Sequence, residues 1–268
     1  MSNFTDPAYL INEQYRDASK LDARIMLHER FSTNPQGWYA WVFDSLAEMP
    51  VNARVLELGC GPGYLWKHCA ERIPAGWRIT LSDPSEGMRL AAWRNLVVTG
   101  RAYKYEEIDA QSIPYPDETF DIVIANHMLY HVPDRAQAIR EIRRVLKMNG
   151  HLIASTVGKN NMAEMEAWQK QISLVENYEP FRIGFTLENG QEQLSSCFKD
   201  IQTRRYADSL MITEIEPVIA YLCSSSRAED ISQEKIVKLR QILEKDLTRK
   251  KMLTINKDAG LFLAIRQD

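Results

Sequence analysis

The chain has 268 residues, of which 45% are hydrophobic and 26% are charged, and its formal net charge is −3. This composition is typical of a folded globular protein with a sizeable core, and it excludes disordered, collagen-like and disulfide-scaffold proteins. The slightly acidic balance disfavours a protein that coats nucleic acid. The length fits one large domain or one domain with a lid.

The cysteines and the first residues bear on the cellular location. No two of the four cysteines have CxxC or metal-finger spacing, which is typical of reduced thiols in a reducing compartment. The first residues lack a basic segment followed by an apolar run, so we expect no secretory signal. No stretch approaches 18 apolar residues. The sequence therefore predicts a cytoplasmic protein with no membrane partner.

Residues 1–50 are predicted to be helical. Apolar residues recur at helical spacing until Asn34-Pro35 interrupts the pattern. A second apolar helix is predicted from Trp38 to near residue 50. This segment precedes the first predicted strand.

From residue 53 the pattern changes to short apolar strands that alternate with helices. The clearest helix spans 134–147, with Asp134 as a cap at its start and Asn149-Gly150 at its end. Strands that alternate with helices predict parallel pairing, right-handed crossovers and a doubly wound α/β sheet. The five predicted strands are 54–58, 77–81, 103–108, 120–125 and 151–156.

After residue 157 the alternation ends. Residues 158–184 contain a possible helix and are longer than a plain connection, so we expect a cap there. Thr213 and Glu216 have the spacing of a capping box before an apolar helix. The other predicted elements are a helix at 186–196, a strand at 198–206, a charged helix at about 229–250 and a last strand at 261–265.

The strongest functional signal is the sequence ELGCGPG at residues 57–63, between a predicted strand and a predicted helix. Glycines let the backbone turn tightly and let a ligand approach the main chain. Backbone N–H groups at a helix start favour a negatively charged ligand group. Asp83 lies 20 residues beyond Gly63, where a carboxylate can accept hydrogen bonds from two ribose hydroxyls. The pattern predicts a nucleoside-bearing cofactor.

The spacing of the glycines distinguishes between cofactors. A dinucleotide fingerprint requires a small residue where Tyr64 stands. The G-x-G-x-G spacing instead resembles that of class I S-adenosylmethionine-dependent methyltransferases. The resemblance covers about residues 52–157 closely. Other segments that resemble motifs of this family are LSDPSEGM at 81–88, IDAQSIPY at 108–115, FDIVIAN at 120–126 and RVLKMNGHL at 144–152.

The resemblance implies a Rossmann-like, doubly wound, mostly parallel sheet that binds S-adenosylmethionine and releases S-adenosylhomocysteine. The main chain around Glu57 would hold the methionine moiety, Asp83 the ribose and Asp109 the adenine amino group. Pro84 departs from many relatives and removes one backbone donor. The residues assigned to the cofactor are Tyr15, Glu57, Gly59, Cys60, Gly61, Gly63, Asp83, Pro84, Met88, Asp109, Ala110, Gln111 and Asn126.

The loop at 126–134 follows the fourth strand, where open α/β sheets place their ligand sites. We expect His131 to act as a general base if the acceptor must lose a proton, with His127 and Tyr130 as further catalytic candidates. The alternative is that these three residues only bind the cofactor or shape the pocket. No metal site is expected, because His127 and His131 have no evident third ligand.

The predicted function is methyl transfer from S-adenosylmethionine to an oxygen, nitrogen or carbon atom of a small metabolite. The Asn-Pro-Pro-Tyr and Pro-Cys motifs of nucleic-acid base methylation are absent, so a small molecule is favoured over nucleic acid. Two alternatives are a nicotinamide-dependent oxidoreductase and a non-catalytic regulatory protein that binds S-adenosylmethionine.

Four segments are expected along the chain. They are an N-terminal helical lid (1–50), a cofactor-binding core (51–157), a cap or substrate region (158–200) and a C-terminal completion of the sheet (201–268). The expected lid residues are Tyr15, Arg24, His28, Trp38 and Trp41. The residues expected to shape the acceptor pocket are Trp168, Phe181 and Phe185. The sequence does not indicate the oligomeric state.

Overall fold

A computed structural model describes residues 5–172, 183–224 and 232–268. The strands are β1 (Arg54–Leu58), β2 (Arg78–Ser82), β3 (Lys104–Glu106), β4 (Phe120–Asn126), β5 (Leu146–Val157), β6 (Lys199–Tyr206), β7 (Ser209–Ile212), β8 (Leu253–Asn256) and β9 (Ala259–Ile265). The α-helices are α1 (Pro7–Tyr9), α2 (Ser19–Phe31), α3 (Trp38–Asp44), α4 (Tyr64–His68), α5 (Glu86–Leu96), α6 (Arg135–Val145), α7 (Ala163–Ile172), α8 (Gly190–Ser195), α9 (Glu216–Cys223) and α10 (Gln233–Lys250).

Seven strands form the central sheet, in the order β3-β2-β1-β4-β5-β9-β6. The first five are parallel, and β9 is antiparallel to both β5 and β6. This arrangement confirms the doubly wound, mostly parallel sheet. The strand order reverses between β1 and β4, and open α/β sheets bind ligands outside the carboxyl ends of the strands at such a point.

The apolar residues of β1 and β4 explain why these strands lie at the centre. Val55 and Leu56 of β1, and Ile122 and Val123 of β4, are fully buried. Successive side chains of a strand point to opposite faces of the sheet, so alternate residues enter two apolar clusters, one on each face. The continuous apolar run is typical of a parallel strand covered by helices on both faces.

A third apolar cluster lies apart from the two that cover the sheet. It joins α2, α7, α9, α10 and the small antiparallel sheet of β7 and β8. The sequence analysis did not predict β7 or β8. Leu253 and Ile255 of β8 are buried, whereas Thr254 and Asn256 are exposed, so a period-2 pattern is present but only four residues long.

Two local predictions were wrong. The helix predicted over 134–147 ends at Val145, and Asn149-Gly150 pairs with Arg266 beyond β9 instead of ending the helix. The predicted capping box does not form, because α9 begins at Glu216 with no side-chain cap. The Glu216 carboxylate instead forms an ion pair with Arg240.

The described residues contain no helix that is both long enough and apolar enough to cross a membrane.

Candidate active site

A cavity of about 1190 Å³ opens at the carboxyl ends of β1, β2 and β4. Ligand pockets for one small molecule are typically about 300–1,000 Å³, so this cavity has room for a cofactor and a second molecule. Its walls come from the glycine loop, the loop after β4, the N-terminal helices and a few residues beyond β5.

The glycine loop has the backbone conformation that its composition predicts. Gly59 and Gly61 have φ angles of 65° and 52°, in the left-handed region that favours glycine. A Cβ atom at Gly59 would lie 2.8 Å from Cβ of Met128. A Cβ atom at Gly61 would lie 3.5 Å from Cδ2 of Leu21 on α2, so the N-terminal region closes over the loop.

Gly63 does not belong with the cavity-lining glycines. It precedes α4 with a φ of 74°, and a Cβ atom there would lie 2.9 Å from Cδ1 of Leu96 on α5. Its lack of a side chain therefore serves the packing of α4 against α5. Gly63 does not line the cavity, and its assignment to the cofactor stays a prediction.

Asp83 lies at the end of β2 and faces the cavity. Its Oδ2 accepts a hydrogen bond from the Gly61 amide at 3.0 Å, and its Oδ1 accepts one from the Ser85 amide at 2.9 Å. Burial raises the pKa of Asp83 to about 6. Two carboxylate oxygens have about four acceptor positions, so the group can accept further hydrogen bonds from a ligand.

Glu57 is a second buried carboxyl group beside the loop. Its Oε2 accepts a hydrogen bond from the indole Nε1 of Trp66 at 2.5 Å, and burial raises its pKa to about 8. The side chain is therefore mostly uncharged at neutral pH. The prediction that the main chain around Glu57 holds the methionine moiety does not require a charged Glu57 side chain.

The residues predicted for the adenine end also line the cavity. Met88 is 1% exposed, on a helix capped by Ser85. Asp109 accepts hydrogen bonds from the backbone and side-chain nitrogens of Gln111, whose Oε1 accepts one from the Asp134 amide. The other predicted cofactor residues that line the cavity are Cys60, Pro84, Ala110 and Asn126.

Tyr15 and His131 meet across the cavity. The hydroxyl of Tyr15 lies 2.9 Å from Nε2 of His131, which is hydrogen-bonding distance. The Tyr15 carbonyl accepts a hydrogen bond from the hydroxyl of Ser85 at 2.6 Å, so the N-terminal segment is held at the end of β2. The sequence analysis assigned Tyr15 to the cofactor and did not predict its contact with His131.

His127 and Tyr130 lie beside this pair. The backbone of His127 has a φ of 54°, and its amide donates to the hydroxyl of Ser155 at 2.9 Å. Its ring packs against Trp38, with centroids 4.9 Å apart. Burial, and then the nearby Lys257, lower the pKa of His127 to about 4, so its ring is neutral at neutral pH. Burial raises the pKa of Tyr130.

Several residues expected near the acceptor lie elsewhere. Trp168 packs in the third apolar cluster, and Phe185 packs against Phe262 at 5.7 Å between centroids. Neither lines the cavity, because both are buried among other apolar side chains. Phe181 lies outside the described residues. Trp41 packs against Tyr206 and does not line the cavity, unlike the other four expected lid residues.

Lys257 lines the cavity but was not predicted from the sequence. Its ammonium Nζ lies 2.6 Å from Oδ2 of Asp208, and both side chains are buried. Lys257-Asp258 connects β8 to β9, and Asn256-Lys257-Asp258 resembles an ordinary turn in the sequence. Tyr221 of α9 and Met162 also line the cavity. No group of three or more possible metal ligands occurs among the described residues.

Comparisons with known proteins agree with this geometry. Residues 56–154 match a family model described as a methyltransferase domain. A ubiquinone biosynthesis O-methyltransferase of Pseudomonas aeruginosa is 34% identical over 116 residues, which are 42% of this chain and 48% of that protein. Residues 56–154 therefore resemble a methyltransferase domain, as the sequence motifs indicated. The central sheet confirms the expected fold class.

Two further similarities concern a curated relative and a solved structure. A ubiquinone/menaquinone biosynthesis C-methyltransferase of Xanthomonas oryzae is 32% identical over 152 residues, which are 51% of this chain and 60% of that protein. The structure of Haemonchus contortus phosphoethanolamine N-methyltransferase 2 with phosphomonomethylethanolamine and S-adenosylhomocysteine has a TM-score of 0.60 at 20% identity. That match covers 100% of this chain and 61% of that one. The chain therefore spans about half the length of the curated relatives.

The cofactor of this family is S-adenosylmethionine, and the residues present fit it. The glycine loop leaves the main chain open toward the cavity, as close approach of a methionine moiety requires. Asp83 retains acceptor capacity for ribose hydroxyls. The Asp109 carboxylate lines the cavity and can accept a hydrogen bond from an amino group such as that of adenine.

Proposed function

We propose that the protein transfers a methyl group from S-adenosylmethionine to an oxygen, nitrogen or carbon atom of a small metabolite. The observation that carries this proposal is the contact of Tyr15 with His131 in a cavity that also contains the glycine loop and Asp83. It supports a site where a general base and a cofactor subsite share one enclosed space. When bound, the cofactor supplies an electrophilic methyl group on its sulfonium.

The chain's own residues contribute mainly position, enclosure and proton transfer. Asp83 and the glycine loop orient the cofactor, and the N-terminal helices exclude water from the cavity. In the tautomer that leaves Nε2 of His131 unprotonated, this nitrogen accepts a hydrogen bond from the Tyr15 hydroxyl. When a protonated acceptor displaces Tyr15 from this nitrogen, Nε2 of His131 can take the acceptor's proton as the new bond to the methyl carbon forms.

The nature of the acceptor and the compartment are part of the same proposal. Relatives named for ubiquinone biosynthesis support a small-molecule acceptor rather than nucleic acid. The comparisons do not favour the oxidoreductase or the purely regulatory alternative. The four cysteines are all free, two of them buried, which supports a reducing compartment such as the cytoplasm.

The test combines binding with transfer of a labelled methyl group. Calorimetry should detect S-adenosylhomocysteine binding. S-adenosylmethionine labelled in its methyl group should label the small-molecule fraction of a cell extract, and not its protein or nucleic acid. Absence of S-adenosylhomocysteine binding contradicts the proposal, and label in nucleic acid contradicts the acceptor class.

The role of His131 has its own test. We expect His131→Ala to lower turnover about 10²–10⁴-fold at saturating cofactor, with a nearly unchanged dissociation constant for S-adenosylhomocysteine. His151→Ala, on β5 and outside the cavity wall, is the control and should change neither value. Weaker cofactor binding with preserved turnover would assign His131 to the cofactor instead.

A further inference from the structure

Three cavity-lining side chains of the N-terminal helices carry buried nitrogens without a hydrogen-bond partner among the described residues. They are Nη2 of Arg24, Nδ1 of His28 and Nε1 of Trp38. A buried polar group without a hydrogen-bond partner destabilises the folded protein. Three such groups beside one cavity indicate that a ligand with hydrogen-bond acceptors completes this part of the site.

Arg24 also lacks a compensating negative charge. Within the described ranges, its guanidinium donates from Nε to the Lys20 carbonyl at 3.2 Å and lies 5.4 Å from the centre of the Tyr15 ring. Neither group is a carboxylate. A guanidinium remains charged in proteins, and an unpaired charge away from water is strongly unfavourable.

A second cation of the described cavity wall, Lys257, is already neutralised. Lys257 forms its ion pair with Asp208, which lies outside the cavity wall. His28 and His127 are neutral at neutral pH, because burial lowers both pKa values, to about 3 and about 4. They can therefore offer ring N–H donors to a ligand, but they do not supply charge.

The carboxylates that line the cavity do not balance Arg24. Asp83 and Glu57 lie beside the glycine loop and bind backbone amides and an indole, respectively. Asp109 binds Gln111 at the adenine end. Glu107 pairs with Arg89. Glu29, which also lines the cavity from α2, has its carboxylate 3.6 Å from Nε2 of His68. Among the described residues, none of these carboxylates forms an ion pair with Arg24.

We propose that the methyl acceptor carries an anionic group, a carboxylate or a phosphate, that binds to Arg24 with His28 as a second donor. This inference rests on the proposed function and specifies its substrate class. Arg24 and His28 are four residues apart on α2 and so lie on one face of the helix. The planar guanidinium can bind a carboxylate or a phosphate through two parallel hydrogen bonds.

This subsite would place the reacting end of the acceptor beside the proposed base. Arg24 packs over the ring of Tyr15, and the Tyr15 hydroxyl contacts His131. An anion on Arg24 therefore lies one side chain away from the imidazole. Holding the acceptor at a charged end leaves its other end free to approach the transferable methyl group.

The test uses the complex with S-adenosylhomocysteine, titrated by calorimetry with inorganic phosphate and with propionate. We expect at least one probe to bind the wild-type complex in the millimolar range. Arg24→Gln should weaken that binding at least tenfold without changing the S-adenosylhomocysteine affinity. Arg24→Lys should retain part of it, because it keeps the charge but loses the paired hydrogen bonds.

Arg30→Gln is the matched control. Arg30 lies on the same helix but outside the cavity and pairs with Glu214, so its loss should leave probe binding unchanged. Circular dichroism and the S-adenosylhomocysteine affinity report whether each variant is folded. If Arg24→Gln does not fold, the test compares probe binding by Arg24→Lys with probe binding by Arg30→Gln. The inference then requires weaker binding by Arg24→Lys.

Three results would overturn the inference. The first is that neither probe binds the wild-type complex. The second is that Arg30→Gln weakens binding as much as Arg24→Gln does. The third is that Arg24→Gln weakens the binding of S-adenosylhomocysteine but not of methylthioadenosine, which lacks the carboxylate. That result would mean that the guanidinium binds the carboxylate of the cofactor. Failure of the wild type to bind S-adenosylhomocysteine would instead contradict the proposed function itself.

Discussion

Asp83 and Glu57 are both buried carboxyl groups beside the glycine loop, but their hydrogen bonds differ. Asp83 accepts from two backbone amides, which oppose the effect of burial on its pKa. Glu57 accepts from one indole, and its pKa rises further. The difference suits Asp83 to bind a ligand as an anion and Glu57 to remain a neutral part of the wall.

We expect Asp83→Ala to weaken S-adenosylhomocysteine binding by about 1–3 kcal/mol, because charge-assisted hydrogen bonds to the ribose are lost. Wild-type affinity should also fall as the pH decreases through about 6, where the carboxylate takes up a proton. Calorimetry between pH 5 and pH 8 measures both effects. Asp117→Ala, at an exposed position, is the control. Unchanged affinity in folded Asp83→Ala would remove Asp83 from the site.

Glu57→Gln should stabilise the protein at alkaline pH. The folded-state pKa of Glu57 lies above its unfolded value, so its contribution to stability is present below about 4.5 and is lost as the pH rises toward 8. A glutamine can still accept from the Trp66 indole and carries no charge. We expect a gain of about 1–3 kcal/mol in the free energy of unfolding at pH 8, measured by urea denaturation. A gain that is the same at pH 4 and pH 8 would contradict this explanation.

The glycine loop shows what residue patterns can predict. Gly59 and Gly61, which were predicted to bind the cofactor through their main chain, line the cavity, because their spacing follows a local strand-loop-helix geometry. Gly63 fits the same spacing but is required by its contact with Leu96, 33 positions later in the chain. A motif specifies the conformation of its own backbone, and it does not reveal which neighbour makes a glycine necessary.

At the scale of elements, Asp208 joins the N-terminal helices to the C-terminal part of the chain. Its carboxylate accepts hydrogen bonds from the hydroxyl of Ser32 and the amides of Thr33 and Asn34, which follow α2. It also binds Lys257, between β8 and β9. One side chain thus fixes the end of α2 against β7 and positions a lysine in the cavity wall.

Asp208→Asn should destabilise the protein by about 2–4 kcal/mol, because the amide leaves the buried Lys257 without a charged partner. It should also speed hydrogen exchange at residues 32–34 more than elsewhere, since their amides lose a charged acceptor. Denaturation and exchange measured by mass spectrometry report these effects. Asp44→Asn, which affects an exposed pair with Arg72, should change neither. Uniform exchange over the whole chain would contradict a local role for Asp208.

The sequence predicted elements well where the pattern is regular and long. The strands β1, β2, β4 and β5 and the helix α6 have such patterns, and their existence was predicted correctly. The β7 and β8 strands have four residues each and pair across more than 40 positions. Asp208 and Lys257 lie close together because these two strands pair. The acceptor side of the cavity was therefore less predictable than the cofactor side, whose residues follow consecutive strands.

At the scale of the molecule, the cavity lies between the central sheet and the third apolar cluster. His127 extends from the sheet, and His28 extends from α2, whose Leu27 and Phe31 belong to the third cluster. The groups that shift the pKa of His28, after burial itself, are Lys257, Asp208, His127 and Arg24. Protonation of His28 would add a positive charge near Lys257 and Arg24. This charge would lie where the central sheet and the third apolar cluster meet.

This arrangement predicts that low pH weakens the contact between the central sheet and the third apolar cluster. The pKa of His28 is lowered to about 3 in the folded state. Its contribution to stability is therefore fully present above the unfolded value of about 6.5 and is lost as the pH falls toward 3. Between pH 7 and pH 5, the wild type should lose up to about 2 kcal/mol relative to His28→Gln, which has no such titration.

Urea denaturation of both proteins at pH 7, 6 and 5 measures this difference. Replacing the imidazole changes the free energy of unfolding by the same amount at every pH. This constant difference cancels when the pH dependence of the two free energies is compared. His68→Gln, at a position where the side chain is 44% exposed, should follow the wild type. Parallel pH profiles for His28→Gln and the wild type would mean that His28 is not neutral and buried in the folded protein. They would also remove it as an uncharged donor to the acceptor's anionic group.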